Sequence, residues 1–191
     1  MSCTISSGIG IACADLKRVG GINKRVWAFN MDDLRTSLDV TQTFISTLNL
    51  TTYATLYKFE GVKYSHSAEA KLLRTDGGNV SWEHTVNLRV NNTSYQEDQV
   101  MENLAVAETG WIVQTNNNEF FIYGAQNGLT CTEMTDPTGQ KAGDDEASTV
   151  VLKGTEPTLP KRLIIAAGTS GNIVQQTLFY LNSITSHSIT V

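Results

Sequence analysis

The longest regular feature of the chain is an alternation of apolar and polar positions that runs twice. Val62, Tyr64, His66, Ala68, Ala70 and Leu72 fall on one side of the first run, with Lys63, Ser65, Ser67, Glu69 and Lys71 on the other. Val80, Trp82, Val86, Leu88 and Val90 form one side of the second, against Ser81, Glu83, Thr85, Asn87, Arg89 and Asn91. A period of two is the mark of a strand with one buried face. Residues 75–79, Thr-Asp-Gly-Gly-Asn, lie between the runs and supply the positive φ that a hairpin turn needs. The pattern therefore predicts a hairpin over 62–91. At about 12 residues per strand and roughly 3.3 Å per residue its arms reach ~40 Å, about twice the usual strand length. A compact domain leaves part of such an arm uncovered, and an uncovered edge invites a strand from another chain. Val62, Tyr64, Leu72, Val80, Trp82, Val86 and Leu88 are the interface positions this reading nominates.

Other segments are shorter. Residues 24–30 (KRVWAFN) predict a first strand with Val26 and Ala28 facing one way, and 31–50 mix strand and helix signals. Ser94 and Glu97 have capping-box spacing; Val100, Met101, Leu104 and Ala107 follow as an apolar stripe, and Gly110 marks the helix stop. A second hairpin is predicted from 111–115 and 120–123, turning through Asn116, Asn117 and Asn118. Asn127-Gly128 marks a turn, 135–148 a surface loop, and 149–154 a short strand. Residues 162–167 and 173–181 read as strands. The expected architecture is mainly β with one helix: a β-sandwich or barrel flanked by an α-helix, with a long protruding hairpin. It forms one domain over 1–191, with an N-terminal arm at 1–23 and a C-terminal extension at 161–191.

Composition narrows the function. Only 17% of the 191 residues are charged, below the roughly 25% of an ordinary soluble domain. The net charge of −5 is uneven: Lys and Arg against Asp and Glu number six to four over 1–59, four to seven over 60–102, two to eight over 103–160 and two to none over 161–191. An acidic middle without a basic stripe is a poor grip for phosphates, so nucleic-acid binding is not expected. No run of 18 apolar residues predicts a membrane span, and the N-terminus has no secretory pattern, so assembly in a reducing cytosol is the expectation. Cys3, Cys13 and Cys131 then read as free thiols.

No constellation for catalysis or cofactor binding stands out. The cysteines lack the close pairing of a zinc site, and His66, His84 and His187 are scattered. His66 and His84, counted about a turn at Asp76, come out two positions out of register and read as packed core residues. Gly8-Ile9-Gly10 and Gly168-Thr169-Ser170-Gly171 open no phosphate loop, and Asp144-Asp145-Glu146 lacks calcium-loop spacing. The expectation is a chain that is not an enzyme and has no cofactor or metal.

The order of these parts carries a resemblance. The hairpin VKYSHSAEAKLLRTDGGNVSWEHTVNLRVN, the helix SYQEDQVMENLAVAE, the hairpin GWIVQTNNNEFFIYGAQNGL, an acidic loop, STVVLKGTEP and the opening SSGIGIACADLKRVGGINKRVWAFN resemble a tailed-bacteriophage virion structural protein, most like a tail tube protein, over roughly 1–160. The resemblance implies stacked hexameric rings whose inner wall is a continuous barrel of hairpin strands, through which DNA passes without specific binding. It also implies contacts with other virion proteins, and a virion location after assembly in the host bacterial cytoplasm. A capsid decoration or head-to-tail connector protein shares these features, and a carbohydrate-binding or adhesin module shares the composition. The segment 162–191 lies beyond the resemblance.

Overall fold

A computed structural model describes residues 20–35, 38–39, 41–51, 54–61, 64–91, 95–137, 147–165 and 172–184. Its strands are β1 (Ile22–Asn30), β2 (Phe44–Ile45), β3 (Tyr57–Glu60), β4 (Ser67–Arg74), β5 (Val80–Asn91), β6 (Thr109–Thr115), β7 (Phe120–Tyr123), β8 (Thr130–Thr135), β9 (Ala147–Glu156) and β10 (Lys161–Leu163). Two helices accompany them, α1 (Tyr95–Val106) and α2 (Ile173–Ser183). The strands form a six-stranded sheet of order β2-β10-β7-β6-β1-β3 and a four-stranded sheet of order β4-β5-β9-β8. The fold is mainly β as expected, but the described residues hold two α-helices rather than one, and among them neither sheet closes into a barrel.

The six-stranded sheet is buried on both faces, and the alternation along its central strands explains why. Trp27 and Phe29 of β1, Ile112 of β6 and Phe120 and Ile122 of β7 enter one core, which α2 covers with Leu181. Their neighbours Val26, Ala28, Trp111 and Val113 enter a second core with Val86 and Leu88 of β5, Val150 and Leu152 of β9, and Met101 and Leu104 of α1. Each large apolar side chain so buried contributes about 1.5–3 kcal/mol. The expected Val26 and Ala28 face is therefore real, but Trp27 and Phe29 are as deeply buried on the opposite face.

Several expectations change. Residues 173–181 form a helix because Val174, Thr177, Leu178 and Leu181 fall at i, i+3, i+4 and i+7 on one face. Asn172 caps that helix by accepting the Val174 amide at 3.1 Å. With β10 paired to both β7 and β2, and Leu163, Ile165 and Leu181 buried, the described residues of the expected extension join the six-stranded sheet and its core. At the other end β1 begins at Ile22, which is itself buried, so the strand starts inside the segment expected as an arm; 1–19 lie outside the described residues. Gly110 does not stop α1, which ends at Val106. It sits in β6 opposite Phe29, where a Cβ would come within 2.1 Å of the Phe29 ring, so the residue is glycine to admit that ring. Of the helical stripe, Met101 and Leu104 are buried while Val100 is exposed. Ser94 and the acidic residues 144–146 lie outside the described residues.

Candidate assembly surface

The four-stranded sheet is antiparallel throughout, from β4 to β5, β5 to β9 and β9 to β8. β4 and β8 are its edges, and no other strand among the described residues pairs with their outer sides. With four alternating strands, the two edges run in opposite directions. One face enters the second core through Ala68, Val86, Leu88, Val150, Leu152, Cys131 and Met134. The register places Glu69, Glu83 and Glu133, with Lys71, Arg89 and Lys153, on the face turned away from that core. Ser67, Ser81, Thr85, Asn87, Thr130, Thr135, Thr149 and Thr155 share it. Three carboxylates meet three cations there among hydroxyls, the Asn87 amide and the apolar Leu73 and Val151, so the acidic excess of the sequence is not concentrated on this surface.

The hairpin is seated more deeply than its pattern suggested. β5 pairs with β9 from Trp82 to Asn91, so only Val80, Ser81 and the turn pass beyond its neighbour. Thr75 closes that turn by donating its amide to the Asn79 carbonyl at 3.0 Å, with Gly78 at φ +82°. Val86 and Leu88 belong to the chain's own core and are unavailable to another copy, because β5 is a central strand. Tyr64 lies outside the hairpin: β4 starts at Ser67, and the φ of 67° at Tyr64 is incompatible with a strand. Val62 lies outside the described residues. Leu72 and Val80 remain exposed at 45% and 47%, with half-buried Trp82 paired to Leu72. These three lie on the core-facing side of the sheet, at the tip. Beside them Ala68 and Ala70 of β4 form one wall of a cleft of about 450 Å³, with Val113, Phe121, Tyr123 and Leu159 among the residues facing them.

The two histidines are not neighbours. His84 pairs with Ala70, which puts His66 four positions away along the ladder rather than two, because the turn centres on Gly77. His84 ties the hairpin to the six-stranded sheet, and His66 ties the segment before β4 to β5. His84 accepts the Gly124 amide at Nδ1 (3.2 Å) and meets the Thr158 carbonyl with Nε2 (3.0 Å). His66 accepts the Arg89 amide at Nδ1 (3.2 Å), where the β4–β5 ladder ends, and packs against Gly61. Burial depresses both ring pKa values, that of His84 to about 4. The buried Glu156 carboxylate accepts the Asn127 amide at 2.8 Å and the Gln126 amide at 3.2 Å. Desolvation raises its pKa although these amides oppose the shift. Sequence reasoning did not single out Glu156, since a lone Glu at a strand end carries no periodic signal.

Among the described residues no group of three or more His, Cys, Asp or Glu side chains is placed to hold a metal ion. No helix among them is long and apolar enough to cross a membrane. Comparison with protein-family models, with curated proteins and with solved structures finds no match for this chain.

Proposed function

We propose that the chain is a structural subunit that assembles with copies of itself, continuing its four-stranded sheet from one copy into the next to close a ring, and that such rings stack into a tube of the tailed-phage kind. The observation that carries this reading is the pair of open, oppositely directed edges on one sheet. When β8 of one copy lies beside β4 of the next in the same orientation, the two run antiparallel and the alternation continues without a break. A heterologous contact of this form closes when its rotation divides a full turn, and closure removes every edge. Leu72, Val80 and the cleft beside β4 then gain apolar partners from the adjoining copy.

In such a ring the outward face of the sheet becomes the channel wall. A wall with Glu69, Glu83 and Glu133 balanced by Lys71, Arg89 and Lys153 has no excess of cations to hold a polyanion. DNA passing along it is not retained. The test is a photoactivatable residue at Lys71 in a mixture of isotopically light and heavy protein. Cross-links between copies that map to 130–135 are expected; products confined to β5 of the same chain would contradict sheet continuation.

A further inference from the structure

We propose that His66 and His84 act together as proton-operated latches, His84 seating β5 against the chain just after β7 and His66 tying the segment before β4 to β5, both closed at neutral pH and opened in acid. The inference rests on the geometry within one chain and is independent of ring assembly. A backbone amide is only a donor and a carbonyl only an acceptor, so the two bonds of His84 fix one state: Nδ1 bare toward Gly124, and Nε2 protonated toward Thr158. The Arg89 amide requires a bare Nδ1 on His66 in the same way. Protonation places a hydrogen on each Nδ1, directly opposed to the amide hydrogen it had accepted. Both latches therefore break through one chemical event.

The surroundings offer the new charges no rescue. Tyr123 meets the His84 ring edge-on with centroids 5.4 Å apart, and Ala70 lies opposite it on β4. Glu156, opposite Trp82 on β9, faces the same side with its carboxylate committed to the 126–127 amides, and Glu69 of β4 acts on Tyr123 without a hydrogen bond to the His84 ring. His66 meets Lys24 and Arg89 through backbone atoms, and its Nε2 faces Gly61 and the Lys24 carbonyl without a well-formed hydrogen bond. Burial, rather than a charged neighbour, is what holds both rings neutral.

The sign follows from linkage. Both folded-state pKa values lie below the ordinary 6.5, so between that value and about 4 for His84 the released state binds more protons than the seated one. The seating is complete above pH 6.5 and is lost as pH falls through this window. Glu156 works in the opposite sense, since its raised pKa favours the folded state as pH falls. Glu60, whose pKa Lys58 and Arg25 lower, also loses stability in acid, so it is the separate responses of Arg89 and Gly124 in the two histidine variants that assign the opening to the histidines.

Hydrogen exchange resolved to single amides in the full chain, corrected for intrinsic rates, tests this. From pH 7 to pH 4 protection at Arg89 and Gly124 is expected to fall at least tenfold more than at Val86 and Leu152. In His84→Gln, whose neutral amide both donates and accepts, Gly124 should lose its pH dependence while Arg89 keeps it, and His66→Gln should do the reverse. Imidazole ¹⁵N shifts in the unaltered chain give a second readout that needs no variant, with ring protonation and amide release sharing one midpoint. Protection at Arg89 and Gly124 that persists at pH 4, or falls in step with all of β5 in wild type and variants alike, overturns the latch.

Discussion

Glu156 is the clearest case in which one side chain holds two layers together. It leaves the end of β9, faces inward, and receives the amides of Gln126 and Asn127 from the loop that joins β7 to β8. That loop lies against Gly154, where a Cβ would meet the Gly128 carbonyl oxygen at 2.2 Å, and it turns through Gly124 and Gly128 at positive φ. Glu156→Ala removes the buried, charged acceptor of two loop amides, so a loss of about 1–3 kcal/mol is expected in chemical denaturation. A change within ~0.5 kcal/mol would mean that the loop is not held by this carboxylate. The Asn127-Gly128 turn was legible because its dipeptide is a local signal. Its anchor was not, because Glu156 stands 29 residues from Asn127 and the pairing exists only after folding.

At the scale of elements, legibility followed turn chemistry and unbroken period. The hairpins β4–β5 and β6–β7 were readable because Asp-Gly-Gly and a run of asparagines separate strands of clear pattern. β8 escaped notice because a bulge between Cys131 and Glu133 shifts the alternation. α2 was misread because its β-branched and aromatic residues carry strand propensity, which the packing of Leu181 against the six-stranded sheet overrides. Leu181→Ala is therefore expected to cost about 2–5 kcal/mol, measured by denaturant titration, and a neutral result would place α2 off the core. The hairpin tip behaves differently. Leu72→Lys with Val80→Lys changes exposed side chains, so stability should shift by only about 0.5 kcal/mol per site. Sedimentation velocity should nevertheless show assemblies giving way to monomer, since an inward-pointing lysine blocks edge pairing. Undiminished assembly would move the interface away from this edge.

The whole molecule is a six-stranded sheet covered on both faces, with a four-stranded sheet whose two edges carry no strand partner among the described residues. The account of self-assembly depends on that asymmetry: a core already complete within one chain, and a sheet that is not. The long hairpin contributes less free arm than its sequence pattern implied, and the open edges of β4 and β8 contribute more. Electron microscopy of the purified protein over a rising concentration series tests the central claim most directly. The account predicts rings with a central channel that stack into tubes; particles that remain single chains at every concentration would contradict it.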